Sequence, residues 1–236
     1  MFIVVCGADG VGKNTQSKRL VAALERTGRE AALISFPRYD TPLGKAILRH
    51  LKREIVVANG VSPQIPADGP GVLHPAPEDA MIFQTMMVAD KYDAAPVIED
   101  HIKAGNSVVC DRYWQSAFAY GGADGLNQDW FLRAHSRLPQ ADLNILLQVP
   151  LEEARRRRPV ARDRYESDFV VLQKVRDNYA ELWGERAADY TKPGRWVVID
   201  GIGTEDEVHE RIWSQVIRTW QAMGKGFREQ LDGGAP

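Results

Sequence analysis

Five short aliphatic runs punctuate this chain: Phe2-Cys6, Ala32-Phe36, Ser107-Cys110, Leu143-Val149 and Trp196-Ile199. A strand with one wet face alternates apolar and polar positions, whereas continuous apolar runs suit strands covered on both faces. Between them lie longer stretches with helical spacing. In Asn14-Arg26 the apolar Leu20, Val21, Ala23 and Leu24 share a stripe against Lys18, Arg19 and Glu25, which describes an amphipathic helix that Gly28 can end. Glu78-Lys91 shows the same spacing with Met81, Phe83, Met86, Met87 and Val88, and Thr204-Trp220 sets Val208, Ile212, Val216 and Trp220 four residues apart. Strands alternating with helices predict an α/β fold around a parallel sheet. Cys6 and Cys110, in or ending apolar runs, read as small buried hydrophobes, because two isolated cysteines make neither a disulfide framework nor a metal spacing.

One stretch breaks the alternation. Asn59-Pro77 is dense in proline and glycine, which excludes a long helix and predicts an extended surface loop. The strands on either side belong to one pattern, so the loop is read as an excursion from a single domain over 1-220, followed by a loose tail over 221-236. A chain of 236 residues suffices for one substantial core. A formal net charge of -2 with balanced acids and bases argues against a non-specific nucleic-acid binder or a polybasic membrane anchor, so any anion site has to be local. Met1-Cys6, the longest N-terminal apolar run, is too short for a signal peptide or a spanning helix, and a cytoplasmic protein is expected.

The local anion site is legible directly after the first strand. Gly7-Ala8-Asp9-Gly10-Val11-Gly12-Lys13 lies between a strand and a helix, the context a phosphate-binding P-loop requires. Glycines let the backbone wrap phosphate oxygens, the helix N-terminus adds partial positive charge, and Lys13 is placed for the β- and γ-phosphates. The residue after that lysine commonly carries a hydroxyl for Mg²⁺. Here it is Asn14, with Thr15 and Gln16 following; an amide oxygen can ligate Mg²⁺ or accept from a metal-bound water. The motif specifies a nucleoside triphosphate and little more. Two further clusters stand at strand ends, where open α/β sheets bind ligands: Phe36-Pro37-Arg38-Tyr39, and Asp111-Arg112 continuing to Ser116 and Tyr120. A carboxylate there can hold Mg²⁺, and an adjacent arginine can fork onto a phosphate.

With these segments in place, GADGVGKNTQ at 7-16, FPRYDTPLG at 36-44, DRYWQSAFAY at 111-120 and RDRYESDFVVLQKVRDNYAEL at 162-182, the chain resembles the thymidylate kinases from Met1 to about Ile217. The resemblance implies a three-layer P-loop kinase fold with a five-stranded parallel sheet, a helical acceptor-binding region over about 37-100 and a mobile LID over about 151-165. It implies ATP bound along 7-16 and Mg²⁺ near Asp9, Asn14 and Asp111. Carried over by position, Asp9 orients the acceptor or contacts the metal, Phe36, Pro37 and Tyr39 line the acceptor pocket, and Arg38 and Arg112 hold its phosphate. Lys91 stands where the family usually has an arginine on the thymine carbonyl, and Met87 where a phenylalanine commonly stacks on the base. Ser116 and Tyr120 face the same pocket, with Ala117 in place of a polar residue and Gly121 in place of a glutamine. These departures also fit a pyrimidine modified at its 5-position.

The run Arg155-Arg158 ends a helix at Pro159 and continues through Arg162, Asp163, Arg164 and Tyr165. A charge run is ordinarily a solvated face, but this one falls where the resemblance places the LID. Asp9 is followed by Gly10 rather than arginine, which in this family implies that the LID supplies the extra basic group. Arg156 is the first choice for that group, then Arg162 and Arg164, while Asp163 and Tyr165 match acceptor-pocket positions. The implied reaction moves the γ-phosphate of ATP to dTMP, with Lys13, Asp9, Arg112 and Arg156 as the catalytic set. A homodimer is implied by resemblance, with no nucleic-acid or membrane partner. Two rival readings stay open: a kinase for another or 5-modified deoxynucleoside monophosphate, and a non-catalytic nucleotide-binding P-loop protein.

Overall fold

A computed structural model describes residues 1–52, 77–157, 169–184 and 194–224. Its five strands, β1 (Phe2–Cys6), β2 (Ala31–Ser35), β3 (Ser107–Asp111), β4 (Leu143–Gln148) and β5 (Arg195–Asp200), form one parallel sheet in the order β2-β3-β1-β4-β5. β1 lies at its centre, with Val4 opposite Cys110 on one side and Asn144 on the other. The described helices are α1 (Lys13–Glu25), α2 (Pro42–Leu51), α3 (Pro77–Lys103), α4 (Trp114–Ala123), α5 (Gln128–Ala134), α6 (Leu151–Arg157), α7 (Phe169–Trp183) and α8 (Glu205–Ala222).

Successive β1 residues enter opposite cores, as a pleated strand requires. Phe2, Val4 and Cys6 pack toward Phe83 and Ile98 of α3, Phe118 of α4 and Val175 of α7. Ile3 and Val5 pack toward Leu20 and Leu24 of α1 and Val208, Ile212, Val216 and Trp220 of α8. The sheet is therefore the middle of three layers, and both cysteines are free and buried within it.

Three local expectations change. Apolar runs covered on both faces describe β1 and β3, which are buried throughout, but not the sheet edges. β2 is half-buried along its length, and Val198 of β5 is 53% exposed, because an edge strand lacks a neighbour on one side. Phe36 leaves the sheet, its N–H donating to the Asp111 carbonyl at 3.0 Å, and the peptide to Pro37 is cis. The helix expected over Glu78-Lys91 continues to Lys103 through Pro96; a proline inside a helix is costly, but Ala94, Ala95 and Ile98 are buried beside it and hold that turn against the core. Of the loop 59-77, only Pro77 falls among the described residues, as the first residue of α3.

α2 was not among the helices expected, although Leu43, Ile47 and Leu51 stand four residues apart and its start is written in Thr41-Pro42. The Thr41 hydroxyl accepts from the Gly44 N–H at 3.0 Å and Pro42 occupies the first turn, a side-chain cap followed by the residue best tolerated there. At α8, Thr204 and Glu207 form a reciprocal capping box. No helix among the described residues is long and apolar enough to cross a membrane.

Candidate active site

The carboxyl ends of β1 and β3 open into a cavity of about 1620 Å³. That exceeds the few hundred to about 1,000 Å³ of a typical single-ligand pocket and leaves room for two ligands side by side. One wall is Asp9 to Gln16. Gly7 and Gly10 have φ of 144° and 82°, and a Cβ on either would run into backbone, of Leu147 and Ala154 respectively, so only glycine fits the turn. Gly7 and Ala8 sit behind the wall and use their carbonyls, the first toward Arg112 and the second toward Lys13. Lys13 is 7% exposed, its Nζ 2.6 Å from the Ala8 carbonyl and 3.9 Å from the Asp9 carboxylate. Burial, reinforced by the Arg112 charge, pushes its pKa down to about 8.

Arg112 is, among the described residues, the one non-glycine residue with positive φ, at 68°. A bulky side chain in that region costs on the order of 1–3 kcal/mol and persists where surrounding contacts over-determine it. Here they do. The Arg112 N–H donates to the Val5 carbonyl at 2.9 Å, carrying β3's pairing one residue further, and the guanidinium turns back over the P-loop. It donates to Asp9 Oδ1, to the Gly7 carbonyl at 3.4 Å and to the Tyr120 hydroxyl at 3.2 Å, and it lies 5.0 Å from the Tyr120 ring centre. Tyr120 in turn donates to Asp9 Oδ2 at 2.6 Å. Burial works against the Arg112 charge, but Asp9, Tyr120, Tyr179 and Asp111 together outweigh it and hold the pKa well above its ordinary value.

Both Asp9 oxygens are thus engaged by Arg112 and Tyr120. Asp111 differs. It is 8% exposed, its Oδ2 faces the Asn14 amide at 3.4 Å, and its buried Oδ1 has no hydrogen-bond partner among the described residues.

Phe36, Pro37, Tyr39, Met87, Ser116, Ala117 and Tyr120 line the second half of the cavity, beside Arg112. Arg38 and Lys91, expected there, do not line it. The Arg38 guanidinium is held by Asp90 at 2.9 Å and by Asp93, and Asp90 also accepts the Arg38 N–H at 3.0 Å; two carboxylates already take its charge. Lys91 is 1% exposed, donates to the Met87 carbonyl four residues earlier at 2.6 Å, and lies 5.8 Å from the Phe36 ring centre. Burial pushes its pKa down to about 8. Gly121, counted among the departures near the base, faces Phe131 of α5 rather than the cavity. A Cβ there would overlap the ring, so Gly121→Ala is expected to cost about 1–3 kcal/mol, seen as a thermal midpoint lowered by several degrees without a selective change in acceptor KM.

Of the arginine run, two neighbours reach the cavity, Arg156 and Arg157. Arg156 is 76% exposed and forks onto Glu153 at 2.7 and 2.9 Å. Arg157, which sequence reasoning passed over, bonds Glu153 at 2.7 Å and the Gly201 carbonyl at 3.0 Å. Those two arginines draw the Glu153 pKa down to about 2. Arg155 turns away, 5.7 Å from the Phe169 ring centre. Arg158, Arg162, Asp163, Arg164 and Tyr165 lie outside the described residues.

The remaining wall, Gly201 to Glu205 with Val208, was also missed. It is tied to the P-loop helix, since Gln16 Nε2 donates to the Glu205 carbonyl at 2.9 Å and Arg19 pairs with Glu205 and Asp206. Gly201 and Gly203 after a strand were the available signal.

A family model described as thymidylate kinase matches residues 5–62 and 72–212. A relative from Pyrococcus abyssi, named a probable thymidylate kinase, is 34% identical over 89% of this chain and 93% of its own length. Thymidylate kinase of Homo sapiens is 28% identical over 89% of this chain and 87% of its own length. A solved thymidylate kinase structure from Candida albicans superposes with a TM-score of 0.71 at 25% identity, covering 93% of this chain and 92% of that one.

Proposed function

The chain belongs to the thymidylate kinase family, and we propose that its cavity carries ATP along residues 9–16 and dTMP beside Arg112, passing the γ-phosphoryl group to give ADP and dTDP. The observation that carries this reading is the contact between the two halves: Arg112, beside the acceptor wall, is held by Asp9 and Gly7 of the phosphate cradle. One guanidinium thereby touches both places where phosphate oxygens must meet.

The acceptor phosphate is already ionised, so it attacks in line without a general base, and catalysis reduces to positioning and charge stabilisation. Lys13 neutralises the donor phosphates, Arg112 orients the acceptor phosphate, and Asp9 with Tyr120 fixes Arg112. Arg156 and Arg157 line the donor side, where fixed positive charge favours the transition state over a ground state solvated by water. The unpartnered Asp111 Oδ1 beside the Asn14 amide fits Mg²⁺, which is commonly held by one or two side chains together with waters and substrate phosphates. When bound there it would neutralise charge developing on the β- and γ-phosphates. Asp9, with both oxygens occupied, is assigned to Arg112 rather than to the cation.

A second acceptor reading is favoured by one observation: Lys91 spends its ammonium on the Met87 carbonyl and does not line the cavity, leaving Gln84 and Ser116 as polar side chains beside Met87 and Ala117. Base discrimination then rests largely on shape. ADP release measured with dTMP, dUMP, dCMP, dGMP, dAMP and a 5-substituted dUMP separates the cases. The proposal expects dTMP to have the highest kcat/KM; ATP binding with no ADP from any acceptor would establish the non-catalytic reading instead. A homodimer would cover the exposed Val97 and Ile102 of α3, and sedimentation equilibrium tests it.

The lowered Lys13 pKa gives a pH signature. In the free protein only protonated Lys13 attracts the triphosphate, so kcat/KM for ATP, at saturating acceptor, falls as pH rises through about 8. With ATP bound, phosphate charge raises the Lys13 pKa and kcat holds to higher pH. Stability runs the other way. The unfolded chain keeps this proton up to about 10.5, so the ligand-free fold gains stability as pH rises from about 8 toward 10.5.

A further inference from the structure

Helix α7 contributes no described residue to the large cavity, yet it packs along the length of α4, the helix that carries Ser116, Ala117 and Tyr120. Among the described residues, two polar side-chain contacts link the helices. Asn178 Nδ2 donates to the Ala119 carbonyl at 2.7 Å, and the Tyr179 hydroxyl lies 2.9 Å from Ser116 Oγ. Tyr179 is 1% exposed. Its ring meets Tyr120 edge-on at 6.5 Å with an interplanar angle of 85°, and is itself backed by Trp183 at 6.1 Å.

A serine hydroxyl has one proton and rotates freely unless a partner fixes it. Ser116 reaches the cavity on one side and the Tyr179 hydroxyl and the Cys6 thiol on the other, and of these the tyrosine hydroxyl is the stronger partner to set how Ser116 presents itself to a ligand. The ring acts on a second member of the site. Tyr120 must hold its hydroxyl toward Asp9 for the carboxylate to stay locked to Arg112, and the edge of Tyr179 closes the space into which Tyr120 could otherwise turn. A buried aromatic can stack anywhere in a core; this one touches two cavity residues, Tyr120 through its ring and Ser116 through its hydroxyl.

We propose that Tyr179 is a positioning residue for the acceptor half of the site, its hydroxyl orienting Ser116 and its ring bracing Tyr120 and, through it, the Asp9–Arg112 pair. The proposal rests on the reading that this half of the cavity holds the acceptor monophosphate. It gives α7 a role in substrate recognition, exerted entirely from behind the wall.

The test is steady-state kinetics on the full chain with each substrate varied in turn, for wild type, Tyr179→Phe, Ser116→Ala and the double variant. Tyr179→Phe keeps the ring and loses one neutral hydrogen bond, so the dTMP KM should rise about 5-fold while the ATP KM stays the same. The same change made in Ser116→Ala should add nothing, because both act through one bond. Tyr179→Leu also removes the brace and should lower kcat. Should that variant fail to fold, Tyr179→Phe and the cycle decide alone. An unchanged dTMP KM in Tyr179→Phe, equal rises for dTMP and ATP, or effects that multiply in the double variant would each overturn the proposal. Wild-type turnover of dTMP, measured in the same series, reports separately on the acceptor reading; if another monophosphate is the substrate, its KM takes the place of dTMP in every comparison.

Discussion

Lys13→Ala is expected to lower kcat by about 10³-fold, the scale on which removal of a preorganised charge from a water-poor site acts. The size of the effect follows from how Lys13 is held. Its ammonium is buried and anchored by the Ala8 carbonyl at 2.6 Å, with the Asp9 carboxylate 3.9 Å away, so on the proposed reading it is held in the phosphate cradle before any ligand arrives. The free energy of desolvating that charge has already been met in folding, as its lowered pKa records. A transition state that spreads negative charge over the transferred group then gains from a fixed cation that water would have to reorganise to supply. Alanine removes the cation and leaves the glycine turn intact, so the fold and acceptor binding should survive. Single-turnover measurement of ADP formation at saturating ATP and dTMP checks it, with dTMP affinity as the control. Turnover within tenfold of wild type would remove Lys13 from the catalytic set.

The central parts of this fold were legible because they are local. β1 is a five-residue run buried on both faces, the P-loop follows within a few residues, and α1 shows a clear stripe, so pattern and motif coincide in one short segment. α2 carries a stripe as well as a cap, with Leu43, Ile47 and Leu51 four residues apart, and was passed over as part of the motif at 36-44, and α3 was cut short because a linear reading does not weigh the buried Ala94, Ala95 and Ile98 that carry the helix past the exposed Pro96. The site residues divide along the same line. Asp9, Lys13, Arg112, Ser116 and Tyr120 stand in contiguous motifs, and the topology brings their strand ends together. Arg38 and Lys91 also stand in motif positions, but their side chains are claimed by Asp90, Asp93 and the Met87 carbonyl, partners that a linear reading does not weigh. Arg157, the Gly201–Glu205 wall and Tyr179 depend on contacts with the Gly201 carbonyl, α1 and α4 respectively, which span long stretches of chain, and no short motif encodes such contacts.

Arg112→Lys is the substitution that tests geometry rather than charge, and it is expected to lower kcat/KM for dTMP by roughly 10²-fold or more through loss of the planar fork. Lysine keeps one positive charge near Asp9, so the carboxylate is not left unpaired, as it would be in Arg112→Ala, where breaking a largely buried pair can itself cost about 3–5 kcal/mol. A lysine ammonium cannot, however, lie flat on the Tyr120 ring while directing separate donors to Asp9, the Gly7 carbonyl and the Tyr120 hydroxyl. It also inherits the backbone at φ 68°, with fewer contacts to hold it there, so its tip should sample several positions around the acceptor phosphate. Loss of orientation in a reaction that depends on in-line approach lowers kcat as well as affinity. The check is a comparison of dTMP and ATP kinetics with thermal denaturation: the loss should fall on dTMP and on kcat, the ATP KM should stay near wild type, and the thermal midpoint should move by only a few degrees. If Arg112→Lys keeps dTMP turnover within threefold of wild type, a point charge suffices and the forked contact carries no catalytic role.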